Sequence, residues 1–175
     1  KGYPPTEEEK AQYKSNIEKY GYSDWYEWRI ANWGTKWDAY DCYVNEDQMC
    51  KDYCAVSFDT AWSPPIQYYE KLSETYPLLT IEVEYSEPGM YFAGTQIYEN
   101  GKLTSETEMT YGKWEFIENK DSWWDCFYDN IENQCYGDLE DFQNNHEDIW
   151  EIMNKDDKKE IKQAFKKYEN EEANS

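Results

Sequence analysis

The sequence contains few aliphatic side chains for its length. Of its 175 residues only ten are Ile, five are Leu and three are Val, and the net charge is −21. Such a composition is typical of disordered chains, because too little apolar surface is available to offset the entropy of folding. The chain nevertheless has 18 Tyr, 9 Trp and 6 Phe, and each buries roughly 150–250 Å² when enclosed. We therefore expect one compact core built largely from aromatic side chains.

Basic residues are also scarce, since 17 Lys and Arg face 38 Asp and Glu. A chain with this charge is repelled by phosphate backbones and by anionic lipids, so direct binding to nucleic acid or to a membrane surface is not expected. No apolar run approaches the roughly 20 residues of a membrane helix, and no signal-peptide pattern opens the chain. We expect a cytoplasmic protein whose partner is basic.

Sequence signals for catalysis are missing. His146 is the single histidine, and neither a Gly-x-Ser-x-Gly motif nor a Gly-rich phosphate loop is present, so nucleophilic hydrolases have little support. Carboxylates are abundant everywhere, so paired acids are uninformative. We expect a non-enzymatic protein without a cofactor.

The cysteines do not form a recognisable framework. Five are present, an odd number, and the Cys50-x3-Cys54 spacing is not a common zinc spacing. Reduced thiols in a cytoplasmic protein are the default for such a set, and we expect no metal site.

A helix and a pair of strands are predicted before residue 60. Thr6 is followed by three Glu and predicts a helix that ends before Gly21. Residues 39–44 and 53–59 are rich in aromatic, Cys and Val side chains and predict two strands, with the polar residues 45–48 as the connecting loop.

A helix and three strands are predicted next. Ser63 can cap a helix that Pro77 ends, and residues 80–85 alternate as a strand does. The order of strand, helix and strand predicts a βαβ crossover. Asn100-Gly101 is the dipeptide preferred by a two-residue hairpin turn. Together these elements predict an α+β fold with an antiparallel sheet and helices on one face.

The remaining chain reads as helical, since apolar residues recur at helical spacing after residue 115. The sequence therefore divides into an N-terminal helical segment (1–24), an α+β domain (25–114) and a C-terminal acidic helical extension (115–175). We expect the aromatic side chains to concentrate in the α+β domain.

Three blocks of the chain carry a family resemblance. They run over residues 28–39 (Trp-Arg-Ile-Ala-Asn-Trp-Gly-Thr-Lys-Trp-Asp-Ala), 58–65 (Phe-Asp-Thr-Ala-Trp-Ser-Pro-Pro) and 84–94 (Glu-Tyr-Ser-Glu-Pro-Gly-Met-Tyr-Phe-Ala-Gly). These blocks resemble a family of phage- and plasmid-borne proteins with a ferredoxin-like domain, related to the plasmid protein YubB. The resemblance implies a ferredoxin-like fold for residues 25–114 and a mobile-element origin, and it implies no iron–sulfur cluster and no established chemistry.

Acidic side chains dominate one stretch of the predicted helical extension. Between Asp121 and Asn154 there are ten acids and no Lys or Arg. We call these ten residues the acidic surface: Asp121, Asp125, Asp129, Glu132, Asp138, Glu140, Asp141, Glu147, Asp148 and Glu151. Asp121, Asp125 and Asp129 recur every four residues, so on a helix they form one stripe with a rise of about 6 Å per step.

Two interpretations of the acidic surface remain open. It could be the solvated side of amphipathic helices in an acidic protein. It could also occupy the basic groove of a nucleic-acid-binding protein, with a charge density approaching that of a nucleic-acid strand. Because phages and plasmids encode acidic inhibitors of restriction and CRISPR nucleases, we adopt the second interpretation as the hypothesis: a counter-defence protein of the anti-CRISPR or anti-restriction type.

An alternative function rests on the tryptophans. Trp25, Trp33, Trp37 and Trp62 could form a cleft in which a sugar or a nucleotide stacks. Binding in such a cleft would respond little to salt, whereas recognition through the acidic surface would weaken steeply.

Overall fold

The protein is described by a computed structural model that covers residues 4–172. Two compact units make up the fold. The first comprises residues up to 85 together with 95–106, and the second comprises residues 86–94 and those from 107 onward. The division of the chain at residues 24 and 114 stays a prediction, and residues 1–3 and 173–175 of its outer segments lie outside the described range.

The described chain contains eight helices and five strands. They are α1 (Glu7–Tyr20), α2 (Trp25–Trp33), β1 (Tyr40–Cys50), β2 (Tyr53–Asp59), α3 (Ile66–Thr75), β3 (Ile81–Glu87), β4 (Phe92–Glu99), β5 (Lys102–Thr110), α4 (Tyr111–Glu118), α5 (Lys120–Glu132), α6 (Leu139–Asn145), α7 (Glu147–Ile152) and α8 (Lys155–Glu172).

Helix α1 begins and ends as the sequence predicts. The hydroxyl of Thr6 accepts from the amide of Glu9, and the Glu9 carboxylate accepts from the amide of Thr6, which completes a capping box. At the other end Gly21 takes a left-handed conformation with φ of 82°. Asp24 then caps α2 through its Oδ1 atom, so only a short connection separates the two helices.

The first pair of strands forms a hairpin that differs from the prediction. β1 and β2 pair antiparallel, with Val44 opposite Val56 and Cys50 opposite Tyr53. The predicted polar loop at 45–48 is wrong, because β1 continues through it to Cys50. An irregularity in the register between residues 45 and 50 lets the strand carry these polar side chains while the turn moves to residues 51–52.

The second sheet has the order β3-β4-β5. The predicted βαβ crossover is wrong, since β2 pairs with β1 in a separate two-stranded sheet and β3 begins the second one. The hairpin prediction is confirmed: Asn100 and Gly101 both have positive φ, at 51° and 77°, as a tight two-residue turn requires.

Tyrosines build the core of the first unit. Tyr98 is fully buried and packs against Tyr69 with ring centroids 5.5 Å apart, and Val83 completes the cluster. The Tyr98 hydroxyl donates to Gln96, which in turn donates to Glu106. Each polar group in this series of hydrogen bonds thus has a partner. Buried tyrosines form a stable core only when their hydroxyl groups are paired in this way.

The larger buried cluster lies in the second unit and is purely helical. Phe127 is 1% exposed, and its ring contacts those of Trp123, Phe142 and Phe165. The sequence predicts the main aromatic core in residues 25–114, and this prediction is wrong. Trp25, Trp37 and Trp62 in that range are exposed, the first at the start of α2 and the other two in loops.

The fold class is confirmed as α+β, with antiparallel strands and several helices. Among the residues that the structure describes, no helix is long and apolar enough to cross a membrane.

Candidate functional site

Helix α5 presents an acidic face and an aromatic face. Its buried side chains are Trp123, Phe127 and Ile131, which recur every four residues and pack into the second unit. The acids Asp121, Asp125, Asp129 and Glu132 are all exposed on the remaining surface of the helix. The structure therefore keeps the predicted stripe in the solvent and adds Glu132 to it, over about 16 Å of helix. We call these four acids the α5 stripe.

The carboxylates of the α5 stripe have no partners in the described part of the chain. None of the four accepts a hydrogen bond or lies within ion-pair distance of a Lys or Arg there. The last turn of α5 also contains no basic residue. Like charges three or four residues apart destabilise a helix by about 0.2–0.5 kcal/mol per pair, and acids near its C-terminus interact unfavourably with the helix dipole. These repulsions therefore lower the stability of helix α5.

The other six acids of the acidic surface lie on α6, at its N-cap and on α7. They differ from one another in exposure and in hydrogen bonding. Glu140, Asp141, Glu147 and Glu151 are exposed. Asp138 caps α6 by accepting from the amide of Asp141. The structure therefore leaves most of these carboxylates in solvent.

Asp148 differs from the rest because it is half-buried and accepts a hydrogen bond from the hydroxyl of Thr110. Thr110 ends β5 and also caps α4 through the same oxygen. Asp148 thereby ties α7 to this junction within the second unit, which is a structural role.

Three lysines of the second unit have partners that do not belong to the acidic surface. Lys120 pairs with the buried Asp157 at 2.7 Å. Lys158 and Lys162 of α8 lie over the ring of Trp150, with the Nζ atoms 5.4 and 5.8 Å from its centroid. None of these three cations forms an ion pair with the acidic surface within the described residues.

His146 stands apart from any catalytic arrangement. Its ring packs against Phe142 and Tyr136, with centroids 4.8 and 5.6 Å apart. Burial lowers the pKa of His146, and the negative charge of Asp148 opposes that shift. The residue accordingly behaves as part of the aromatic core.

No metal centre is built from the described residues, where no three or more His, Cys, Asp or Glu side chains converge. All five cysteines are exposed free thiols. Cys50 and Cys54 lie on either side of the β1–β2 turn, and their placement in a hairpin follows from the strand pattern of the sequence.

The cleft of four tryptophans stays a prediction, and the structure places its members on α2 and in two loops. Trp25 and Trp33 lie on α2 at either side of Arg29, whose guanidinium carbon is 5.3 and 5.0 Å from their ring centroids. Trp37 and Trp62 are exposed in loops, and Trp62 has a positive φ of 68°.

A different cleft is present between α1 and α2, with a volume of about 390 Å³. We call it the α1–α2 pocket. Its lining residues are Asn16, Tyr20, Tyr22, Asp24, Trp25, Trp28 and Arg29. Of the predicted cleft residues only Trp25 belongs to it. Sequence reasoning missed Tyr20 and Tyr22 because they lie before the tryptophan-rich block, although the Gly21 break between two helices was a signal that these aromatics would turn toward α2.

Comparison with known families agrees with the ferredoxin-like expectation. A family described as "Ferredoxin-like domain in Api92-like protein" matches residues 36–163, which is most of the chain. The match continues past residue 114 through α4–α7 and into α8, so the family pattern includes the helices that carry the acidic surface. No curated protein and no solved structure matches the chain.

Proposed function

We propose that this protein, which belongs to the family of ferredoxin-like domains in Api92-like proteins, is a non-enzymatic counter-defence protein. It acts in the cytoplasm of a bacterial host, is encoded by a phage or plasmid, and is related to YubB. It binds a basic nucleic-acid-handling protein, such as a restriction or CRISPR nuclease, through the acidic surface. It contacts neither nucleic acid nor membrane directly.

The unpaired α5 stripe is the observation that supports this proposal. Helix α5 is held by its aromatic face, so the fold does not need the acids on the opposite face. Asp125, Asp129 and Glu132 repel their acidic neighbours, the last two also lie toward the helix C-terminus, and none of the three forms an ion pair with a described Lys or Arg. A surface that lowers stability and gains nothing within the fold is best accounted for by a basic partner that pairs with it.

The charge spacing of the stripe fits a groove that normally holds a nucleic acid. Four carboxylates over about 16 Å of α5 give one charge per roughly 5 Å, compared with 3.4 Å along one strand of DNA. The neighbouring acids of α6 and α7 raise the charge of the same unit further. Association driven by such a surface is fast at low salt and weakens steeply as salt rises.

The proposal is tested by neutralising the α5 stripe with isosteric side chains. The variant carries Asp121→Asn, Asp125→Asn, Asp129→Asn and Glu132→Gln, and a second variant carries Lys at the same positions. A matched control neutralises four exposed acids of the first unit, Glu8, Glu18, Glu46 and Asp47. Both neutral variants change the net charge by the same amount, so a general charge effect alters them equally.

The measurement is capture from nuclease-treated bacterial lysate followed by protection of phage from restriction or CRISPR interference. We expect the wild type and the control variant to retain nucleic-acid-binding proteins and to protect phage, and both α5 variants to lose the two activities. Inhibition that persists in the Lys variant would show that the acidic surface is only a solvated face.

A further inference from the structure

The α1–α2 pocket has the composition of a ligand site and lies within the first unit. Four aromatic rings, those of Tyr20, Tyr22, Trp25 and Trp28, line it. Its volume of about 390 Å³ is within the range of about 300–1,000 Å³ that small-molecule sites occupy. Both helices are capped, and the Asn16 amide of α1 donates to the carbonyl of Ser23, just before α2, at 2.8 Å.

Two charged side chains in the pocket retain hydrogen-bonding capacity. Asp24 uses Oδ1 to cap α2, while its Oδ2 accepts no hydrogen bond within the described residues. Arg29 donates one N–H to Asp38 at 3.2 Å, and its other donors form no hydrogen bond there. The pocket thus offers a carboxylate acceptor and guanidinium donors beside aromatic faces.

The charges favour a neutral ligand. An anion such as a nucleotide is repelled by the Asp24 carboxylate and by the −21 net charge of the chain. A cation is repelled by the guanidinium of Arg29. Its place on the Tyr20 ring is also taken, because the Nζ atom of Lys19 lies 4.8 Å from that ring's centroid. A neutral ring that carries hydroxyls can instead stack on Trp28 and bond to both charged groups at once.

We infer that the α1–α2 pocket binds a neutral pyranose, with its ring stacked on an indole and its hydroxyls bonded to Asp24 and Arg29. This inference does not depend on the proposed function of the acidic surface. It differs from the tryptophan cleft expected from sequence, since Trp33, Trp37 and Trp62 do not line the pocket and Tyr20, Tyr22 and Trp28 do.

The test is saturation-transfer NMR with the full chain and a panel of probes. The neutral probes are the methyl pyranosides of glucose, galactose, mannose and N-acetylglucosamine, and AMP and choline represent an anion and a cation. Two variants remove pocket walls, Trp25→Ala and Tyr20→Ala. Both side chains are more than half exposed, at 57% and 56%, so their loss should leave the fold intact. Trp62→Ala removes an equally exposed indole of the first unit outside the pocket.

We expect at least one neutral glycoside to receive saturation at its ring protons and to bind about three- to tenfold more weakly to the two pocket variants. Trp62→Ala and the neutralised α5 variant should bind as the wild type does. The inference is overturned if no neutral glycoside binds, if AMP or choline binds more tightly than every glycoside, or if Trp62→Ala weakens binding as much as Trp25→Ala.

Discussion

Neutralising the end of the α5 stripe should make the protein more stable. The perturbation is the triple variant Asp125→Asn, Asp129→Asn and Glu132→Gln. It leaves Asp121 in place, because an acid in the first turn of a helix interacts favourably with the helix dipole. The three altered carboxylates have no hydrogen bond or ion pair to lose within the described residues.

The magnitude follows from the geometry of the helix. Three like-charged pairs disappear, at spacings of four, four and three residues, and each destabilises the helix by about 0.2–0.5 kcal/mol. Removing the unfavourable interaction between the acids of the last turn and the helix dipole contributes about 0.3–1 kcal/mol more at low ionic strength. The free energy of unfolding should therefore rise by about 1–2 kcal/mol, which corresponds to a melting temperature about 2–6 °C higher.

The assay is thermal and urea unfolding of the wild type and the variant at about 0.01 M and 1 M salt, where the screening lengths are about 30 and 3 Å. The stabilisation should be largest at low salt and fall by more than half at high salt. A variant that is less stable than the wild type at low salt would refute the reasoning, because it would show that these carboxylates are used within the fold.

Three further predictions concern the core, a turn and a titrating group. Phe127→Ala should lower the free energy of unfolding by about 3–5 kcal/mol, since the ring is 1% exposed, and a loss below about 1 kcal/mol in urea unfolding would contradict the packing. Gly101→Ala should cost about 1–2 kcal/mol, because φ is +77° and a Cβ atom would lie 3.0 Å from that of Glu74; an unchanged melting temperature would argue against this turn. Because burial holds the pKa of His146 below its usual value, the unfolded chain binds the proton first, and stability should fall as the pH drops below about 6.5. The melting temperature of His146→Phe should therefore fall less than that of the wild type between pH 7.5 and 5.5. Equal falls would exclude His146 as the cause.

Local signals in the sequence were sufficient for much of the fold. The Thr6 capping box, the left-handed Gly21 and the Asn100-Gly101 turn are determined by neighbouring residues, and all are found in the structure. The α5 stripe also follows from a helical period that needs no tertiary information. These features are predictable because their free energies are local.

Features that depend on distant pairing were not predictable. Whether β2 pairs with β1 or with β3 is decided by tertiary contacts, and both strand patterns are equally consistent with the sequence. Aromatic content likewise does not say which rings are covered: Trp62 is 65% exposed while Phe127 is buried. The Gly21 break marks where the chain turns between α1 and α2, but not which side chains then line the α1–α2 pocket.

In the proposed complex the acidic surface occupies the site where the partner holds nucleic acid. The most direct measurement is competition: proteins captured from nuclease-treated lysate on the immobilised chain are challenged with a 20-base-pair DNA duplex and with folded RNA at fixed salt. We predict that one of the polynucleotides displaces a captured nucleic-acid-binding protein in a concentration-dependent way, and that the neutralised α5 variant captures none of it. A captured partner that binds DNA or RNA and this protein at the same time would contradict the account.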